Sequence, residues 1–588
     1  QGAAIASLLL GFPTADSRVE NISPLSFHWG YWTGYVQDDF KVTPKLTLNL
    51  GLRYDYESPP IERYNRQNVG FAFDQASPLS AAVRTAAGAS NCAACSNLTG
   101  GLLFAGVGGQ PDEPFRKDRN NWGPRVGVAY QLNDRTVLRG GYGVFFFPQA
   151  EFGGSTGFTI DTPLGTPTST GGGNAAAVTP FTDPVTGQSR FSNPFPAGVA
   201  QPLGASLGLL TQAGGDITFG NPDHGIPSVR QYSLGVQHQF PWQIRMDLSY
   251  VGSRTRDVLT GDWNVQRAGG IGTRNINVLS AAQLEQCRQN PTFCNQQVAN
   301  PFAGLLPGTG LNSANVQRRQ LLLPVPQFGA VNMAFENAGR IWYDGLQFGI
   351  DKRFGKGLTL VSSYTWSKTL EAINFLNNQD AEPTKVISGS DRTHVWAFSG
   401  VYQLPVGRNR AFGDGMPRAL DLLAGGWELT WIARFQTGNP IGLNGDADLI
   451  GDPSIDSPEL TGAWFNNCVR RAAGNFIGGS NTTCNDPAWQ LRALRGFGGN
   501  STADTLRATP LRISSLRDHS PPQLDLGLNK SFHFTETTRL QFRAEAFNLT
   551  NTPWFNAPQT SPTASDFGRV NLGNQRNFPR QVQLGFKF

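Results

Sequence analysis

The residue types best suited to chemistry are six cysteines, which fall as Cys92/Cys95, Cys287/Cys294 and Cys468/Cys484, each pair close in sequence. Such pairs can form local disulfides in an oxidising compartment, hold a metal or, in the C-x-x-C spacing of Cys92 and Cys95, run redox exchange. No βαβ pattern surrounds Cys92, so disulfide staples need the fewest assumptions. Gly153-Gly154-Ser155-Thr156-Gly157 fits G-x-S-x-G, but no strand leads into it and no helix leaves it. A Gly-rich loop is expected there rather than a nucleophile elbow. Asp446, Asp448 and Asp452 in GDADLIGD lack the full ligand set of a calcium loop, so a solvated acidic loop is expected, with calcium as the alternative. His238 and His394 have no catalytic partner at a readable spacing. No catalytic, cofactor-binding or metal-binding residue is assigned, and the chain is not expected to be an enzyme.

These residues lie in or between segments of regular alternation. In Lys45–Tyr56 (KLTLNLGLRYDY) the even positions are Leu46, Leu48, Leu50, Leu52, Tyr54 and Tyr56. The odd positions are Lys45, Thr47, Asn49, Gly51, Arg53 and Asp55. Period two over this length gives a long strand with one apolar face, aromatic at its end, and one polar face. That suits the wall of a transmembrane β-barrel better than a soluble sandwich, whose strands run shorter. Twelve further strands are read at 32–42, 122–131, 136–147, 229–240, 243–252, 342–354, 358–366, 393–404, 427–436, 523–534, 539–549 and 580–588. Tight turns at Pro44, Asn133, Pro241, Gly355 and Glu536 alternate with long, irregular, Pro- and Gly-rich segments at 57–121, 148–227, 254–340 and 437–521. One helical turn is expected around Arg418–Leu423.

Loops of this length are foreign to a compact soluble domain. Short turns on one rim and long loops on the other are the habit of outer-membrane barrels. The long loops are then extracellular, and the last strand ends in the periplasm. Composition agrees: 69 Gly, 11% aromatic and only 15% charged residues. No apolar run is long enough for a membrane helix, so a span must be a closed barrel. A net charge of +5 spread over 588 residues leaves no basic stripe for nucleic acid.

The polar faces of the strands carry Arg53, Asp55, Arg125, Arg245, Asp247, Asp351, Arg353, Asp525, Arg543 and Glu545, which are expected to line the lumen. They could form an ion-pair network that satisfies the wall, the reading any wide barrel invites, or a substrate path.

Several stretches together resemble the barrel of TonB-dependent outer-membrane receptors of the Oar-like type. They are YVQDDFKVTPKLTLNLGLRYDYE, NWGPRVGVAY, YDGLQFGIDKRFGKGLTLVSSYTWSKTL, LQFRAEAFNLTNTPWFN and the terminal RQVQLGFKF. The resemblance implies one barrel domain over residues 1–588, the C-terminal part of a larger barrel of about 22 strands around a plugged lumen. It implies uptake driven by a TonB-type energy transducer, an extracellular substrate and outer-membrane lipid as surroundings. Phe588, Phe586 and Gln581 match the types wanted by the barrel-assembly machinery, whereas Gln583 stands where Gly is usual. The start, QGAAIASLLLGF, is neither an intact beginning nor a signal peptide, and no plug or TonB box is read in the chain. The strand at 32–42 is therefore expected to show an unpaired edge, a distorted closure, or a strand improvised from residues 1–30. A plug-free passive channel of porin or fatty-acid-transporter type, and a surface adhesin or barrel enzyme, are the alternatives.

Overall fold

A computed structural model describes residues 18–22, 25–147, 156–163, 199–260, 272–355, 357–408, 410–443, 447–449, 452–456, 458, 460, 462–466, 468–471, 476–478, 491–493, 506–533, 538–561 and 564–588. Its frame is one antiparallel sheet of 14 strands. Thirteen follow one another in chain order: β1 Tyr31–Thr43, β2 Leu46–Glu57, β3 Trp122–Asn133, β4 Thr136–Phe146, β5 Ser228–Phe240, β6 Ile244–Val258, β7 Gly339–Gly355, β8 Leu358–Ala372, β9 His394–Gln403, β10 Trp427–Gln436, β11 Gln523–His533, β12 Arg539–Phe547 and β13 Gln581–Lys587. The short Val386–Ile387 strand pairs with β8 beside this path.

Sequence dictates this frame directly, because alternation fixes which face of each strand meets lipid. The register joins Gln37, Gly51, Arg125, Gly143, Gln231, Ser253, Tyr343 and Thr369 in one row across β1 to β8. A row five residues along, on the other face, joins Leu46, Tyr130, Leu138, Val236, Leu248, Phe348, Tyr364 and Trp396. One side is thus polar and glycine-rich, and the other apolar and aromatic. A one-residue slip in any pair would exchange the two faces, so burial of the apolar side in lipid specifies the register.

The turns on one rim are short and locally satisfied. Thr43 Oγ1 accepts from the Lys45 and Leu46 amides at 3.2 and 3.0 Å, and Asn133 Oδ1 from the Arg135 amide at 2.9 Å. Trp242 and Gln243 take positive φ, 62° and 60°, to reverse the chain between β5 and β6. The turn expected at Glu536 lies outside the described residues. Between β9 and β10, Arg418–Ala424 forms the expected helix, slightly extended.

The two outermost strands, β1 and β13, are not paired with one another among the described residues. All thirteen residues of β1 are exposed. Arg18–Ile22 does form a strand, but it pairs with Thr159–Pro163 rather than with β1.

The long segments correct the sequence reading. Residues 57–121 and the described parts of 148–227 and 254–340 are not irregular. Strands Asn68–Phe71 and Leu102–Phe104 pair within the first, and Ser80–Thr85 is a helix. Strand Ile217–Gly220 of the second runs parallel to Val331–Ala334 of the third. The three connections share one core containing Phe71, Phe104, Phe219, Phe302, Phe328 and Val331. Phe219 stacks on Phe71 with centroids 5.5 Å apart, and Phe328 meets Phe71 edge-on at 6.3 Å. The physical reason is dilution: each connection carries too few apolar residues for a core of its own, and three pooled suffice. A smaller core, with Ile441, Leu443, Phe465, Ile513, Leu516 and Phe567, forms among the later connections.

Candidate functional site

Nine of the ten charged residues expected in the lumen have described side chains, and the register puts them on the polar face. Arg353 lies in β7, but its side chain is outside the described residues. Two groups come together. Arg53 Nε bonds Asp55 Oδ1 and Oδ2 at 2.9 and 3.0 Å, its Nη2 donates to Tyr31 OH at 2.9 Å, and Tyr31 OH donates to Asp55. Asp55 is nearly buried, at 3% exposure, so it depends on these donors. Arg245 pairs with Asp247 at 3.2 Å and with Asp351 across the β6–β7 ladder. The others stand apart. Arg125 lies over the Phe145 ring at 4.7 Å, Asp525 accepts the Asn548 amide at 2.8 Å, and Arg543 donates to Gln541 at 2.9 Å. Glu545 faces Gly527 and Gln583. Much of this charge is therefore spent within the wall, which favours the ion-pair reading over a ready-made anion or cation path.

Cys92–Cys95 and Cys287–Cys294 are disulfides, and Cys95, Cys287 and Cys294 are among the buried residues of the pooled loops. The Cys484 position and the Cys468 side chain lie outside the described residues, as do residues 153–155 and Asp446. Asp452 accepts from Ser515 Oγ at 2.6 Å and the Ser454 amide at 3.0 Å. The Ser515 bond leads in holding its carboxyl below the ordinary range. Groups of three or more His, Cys, Asp or Glu able to hold a metal are not found among the described residues. His238 Nδ1 is 2.9 Å from Thr136 Oγ1, and His394 Nδ1 is 2.8 Å from Tyr364 OH, both on the apolar face. In the last strand Phe586 packs on Phe542 with centroids 5.2 Å apart, Phe588 is exposed, and Gln581 faces Phe547 across the β12–β13 ladder.

Sequence reasoning missed the structure over the loop rim. Buried amides join the first connection to the second and third and brace the third internally. Asn68 Nδ2 donates to Thr218 O at 3.1 Å, Gln327 Nε2 to Thr99 O at 2.8 Å, and Asn277 Nδ2 to Val325 O and Gly329 O at 3.0 and 2.8 Å. Arg274 pairs with Glu336 at 2.7 Å and lies over Phe375 at 4.3 Å, tying this cap to the connection after β8. Glu62, fully buried, accepts from the amides of Ser26, Tyr64 and Arg66 at 2.8–2.9 Å. Burial pushes its carboxyl up, but the three amides outweigh that and hold it below the usual range. The signal available in the sequence was the aromatic content of the connections, FAF at 71–73, LLF at 102–104 and ITFG at 217–220.

A thirteen-strand meander with one lipid-type face, one polar face, short turns on one rim and folded loops on the other defines an integral outer-membrane β-barrel protein. The chain belongs to the outer membrane beta barrel domain family, whose pattern matches residues 1–583. Its place is the outer membrane of a Gram-negative bacterium, with lipid around the apolar face. No curated protein matches the sequence. Among solved structures it is similar to the outer membrane transporter YddB from Escherichia coli, with 8% identity, TM-score 0.39, and 95% of this chain and 45% of that one covered. It is also similar to the ferric-catecholate import receptor Fiu from Escherichia coli, with 10% identity, TM-score 0.36 and coverage of 95% and 44%. A variant of the ferric enterobactin receptor PfeA from Pseudomonas aeruginosa gives 10%, 0.37, 95% and 45%. The chain spans less than half the length of these structures.

Proposed function

We propose that residues 1–588 are the C-terminal part of the barrel of an Oar-like TonB-dependent receptor and that the whole protein takes up an extracellular substrate. A TonB-type transducer acts through the N-terminal part of that protein, the barrel-assembly machinery reads β13, and the long loops face outward. The observation that supports this reading is the wall itself. Among the described residues its end strands, β1 and β13, share no register, and an open edge in lipid costs several kcal/mol per unsatisfied group. More strands belong between them, as a larger barrel requires. Arg53, Asp55, Arg125, Arg245, Asp247, Asp351, Arg353, Asp525, Arg543 and Glu545 then line the lumen, where the paired charges steady the wall and dock a plug.

Three measurements test this. The complete reading frame should retain a purified TonB C-terminal domain in a pull-down, and residues 1–588 alone should not. In planar bilayers, residues 1–588 should give no stable single-channel step. A steady, voltage-independent conductance from this chain alone would replace uptake with the passive channel. A protease site inserted after Val107 should be cut in intact cells, and one inserted after Asn133 should not. The reverse result would invert the orientation.

A further inference from the structure

The lipid-type face is not apolar throughout. At the loop end of β5 to β8 it carries Arg230, Arg254, Arg256, Arg340 and Lys368, joined by Lys385 from the connection that follows. The register sets Arg230, Arg254, Trp342 and Leu370 in one row, and Tyr232, Gly252, Asp344 and Lys368 in the next. Lys385 Nζ lies 4.4 Å over the Trp342 ring. Arg230, Arg256, Arg340, Lys368 and Lys385 are exposed.

Their level in the membrane follows from the rings beside them. Tyr142 faces Tyr232 directly, Tyr232 and Tyr250 are 6.1 Å apart, and Trp366 on β8 stands in the row of Tyr250. Aromatic belts of barrels sit at the boundary between hydrocarbon and headgroups. Arg230 stands two residues beyond Tyr232, about 7 Å along the strand. The cations are therefore at headgroup height, on the side that faces lipid.

Carboxylates do not balance them. Asp344 is already committed: Arg254 Nη2 reaches its two oxygens at 2.9 and 3.0 Å, and Tyr250 OH donates at 2.6 Å. Asp257 lies among Arg256, Arg340 and Arg230, with Asp118 near it. Among the described residues, Asp344, Asp257 and Asp118 are thus set against six cations. Arg230 sits directly opposite Arg254 and its Asp344 partner, and an added anion would relieve the like-charge contact between the two arginines.

We propose that this patch binds the phosphate groups of an outer-leaflet lipid. Guanidinium forks grip phosphate in bidentate fashion, and ammonium groups add point charge. The apolar rows below, such as Leu234, Val236 and Leu248, receive the acyl chains. The assignment to the outer leaflet rests on the orientation proposed above, whereas the phosphate chemistry does not.

The test uses the protein from its complete reading frame, purified and placed in phosphatidylcholine nanodiscs. Retention of diphosphorylated lipid A is compared with that of its dephosphorylated form and with inorganic phosphate alone. Lipid A should be retained at least about tenfold better than the dephosphorylated form, and R230Q/R340Q/K368Q should remove that preference. The polar-face control R139Q/R434Q should keep it, and R230K/R340K should retain part of it. Heat-modifiable mobility on gels establishes that each variant is folded. Equal retention of the two lipids, an unaffected triple variant, or displacement by equimolar inorganic phosphate would overturn the proposal. Lipid A retention together with protease cleavage after Asn133 in intact cells would overturn the orientation and leave the phosphate site standing.

Discussion

The two-faced wall makes a strong prediction at β6, where neighbouring residues see opposite media. Leu248 lies on the apolar face between Val236 and Phe348, with Tyr364 one strand further on. The nearest carboxylate on that face along β7 is Asp344, four residues from Phe348, about 13 Å at the strand rise. An arginine at 248 would have no counter-ion within reach and lies between Ile244 and the Tyr250 belt, in hydrocarbon. Such a substitution near mid-bilayer costs about 2–4 kcal/mol, and we expect about 2–3 for L248R because the belt is only two residues away. Ser249 points to the polar face between Gly235 and Gln347. The glycine leaves space there, and Asp247 lies two residues along on the same face. S249R should therefore cost under about 1 kcal/mol, the level of a tolerated surface change. The assay is reversible guanidinium unfolding, in vesicles, of the protein from its complete reading frame, where 2–3 kcal/mol is a shift of roughly 30- to 150-fold in the folding constant. Equal losses from the two changes would mean that both faces of β6 are buried alike, and the membrane-wall reasoning would fail.

Other perturbations address the cap. Phe219→Ala empties a position exposed by only 1% and should cost the cap about 3–5 kcal/mol. Limited proteolysis should then open residues 57–121 while heat-modifiable mobility of the wall persists. Replacing Cys287 and Cys294 with serine removes a staple closing seven residues of sequence, worth about 2–3 kcal/mol, so trypsin should reach the Arg288 segment faster in the variant than in the oxidised parent. The buried Glu62 carboxylate is held below its ordinary range in the folded state. Its contribution is therefore full above the unfolded value near about 4.3 and is lost as pH falls through the lower folded value. Amide exchange at Ser26, Tyr64 and Arg66 should accelerate below about pH 4, and E62Q should flatten that dependence.

What the sequence makes legible is what repeats locally. Leu46 to Tyr56 announce their face because each residue's environment is set by the residue two positions away. Arg245 and Asp247, likewise two apart, fall on one face and meet. The cap lacks any such local rule. Phe71, Phe219 and Phe328 belong to three different connections, and nothing near any one of them in sequence marks the other two as neighbours. Buried amides such as Asn277 and Gln327 read as ordinary loop residues, since their acceptors are backbone carbonyls whose positions only the folded chain defines. Glu62 is similar: its three donors come from residues that no motif joins to it.

The pooled core also fixes an order of events. Phe71 and Phe328 are separated by more than two hundred and fifty residues, and the parallel ladder from Ile217–Gly220 to Val331–Ala334 closes only when both connections are on the same side of the sheet. Contacts so remote in sequence form slowly, because the closure entropy of the long loop is lost before contact energy offsets it. Here β2 through β7 supply that closure by holding the roots of all three connections side by side. The wall is thus the template on which the cap condenses. In the orientation proposed above the long connections lie across the bilayer from the short turns, so the shared core assembles only once the strands that carry its roots are in place.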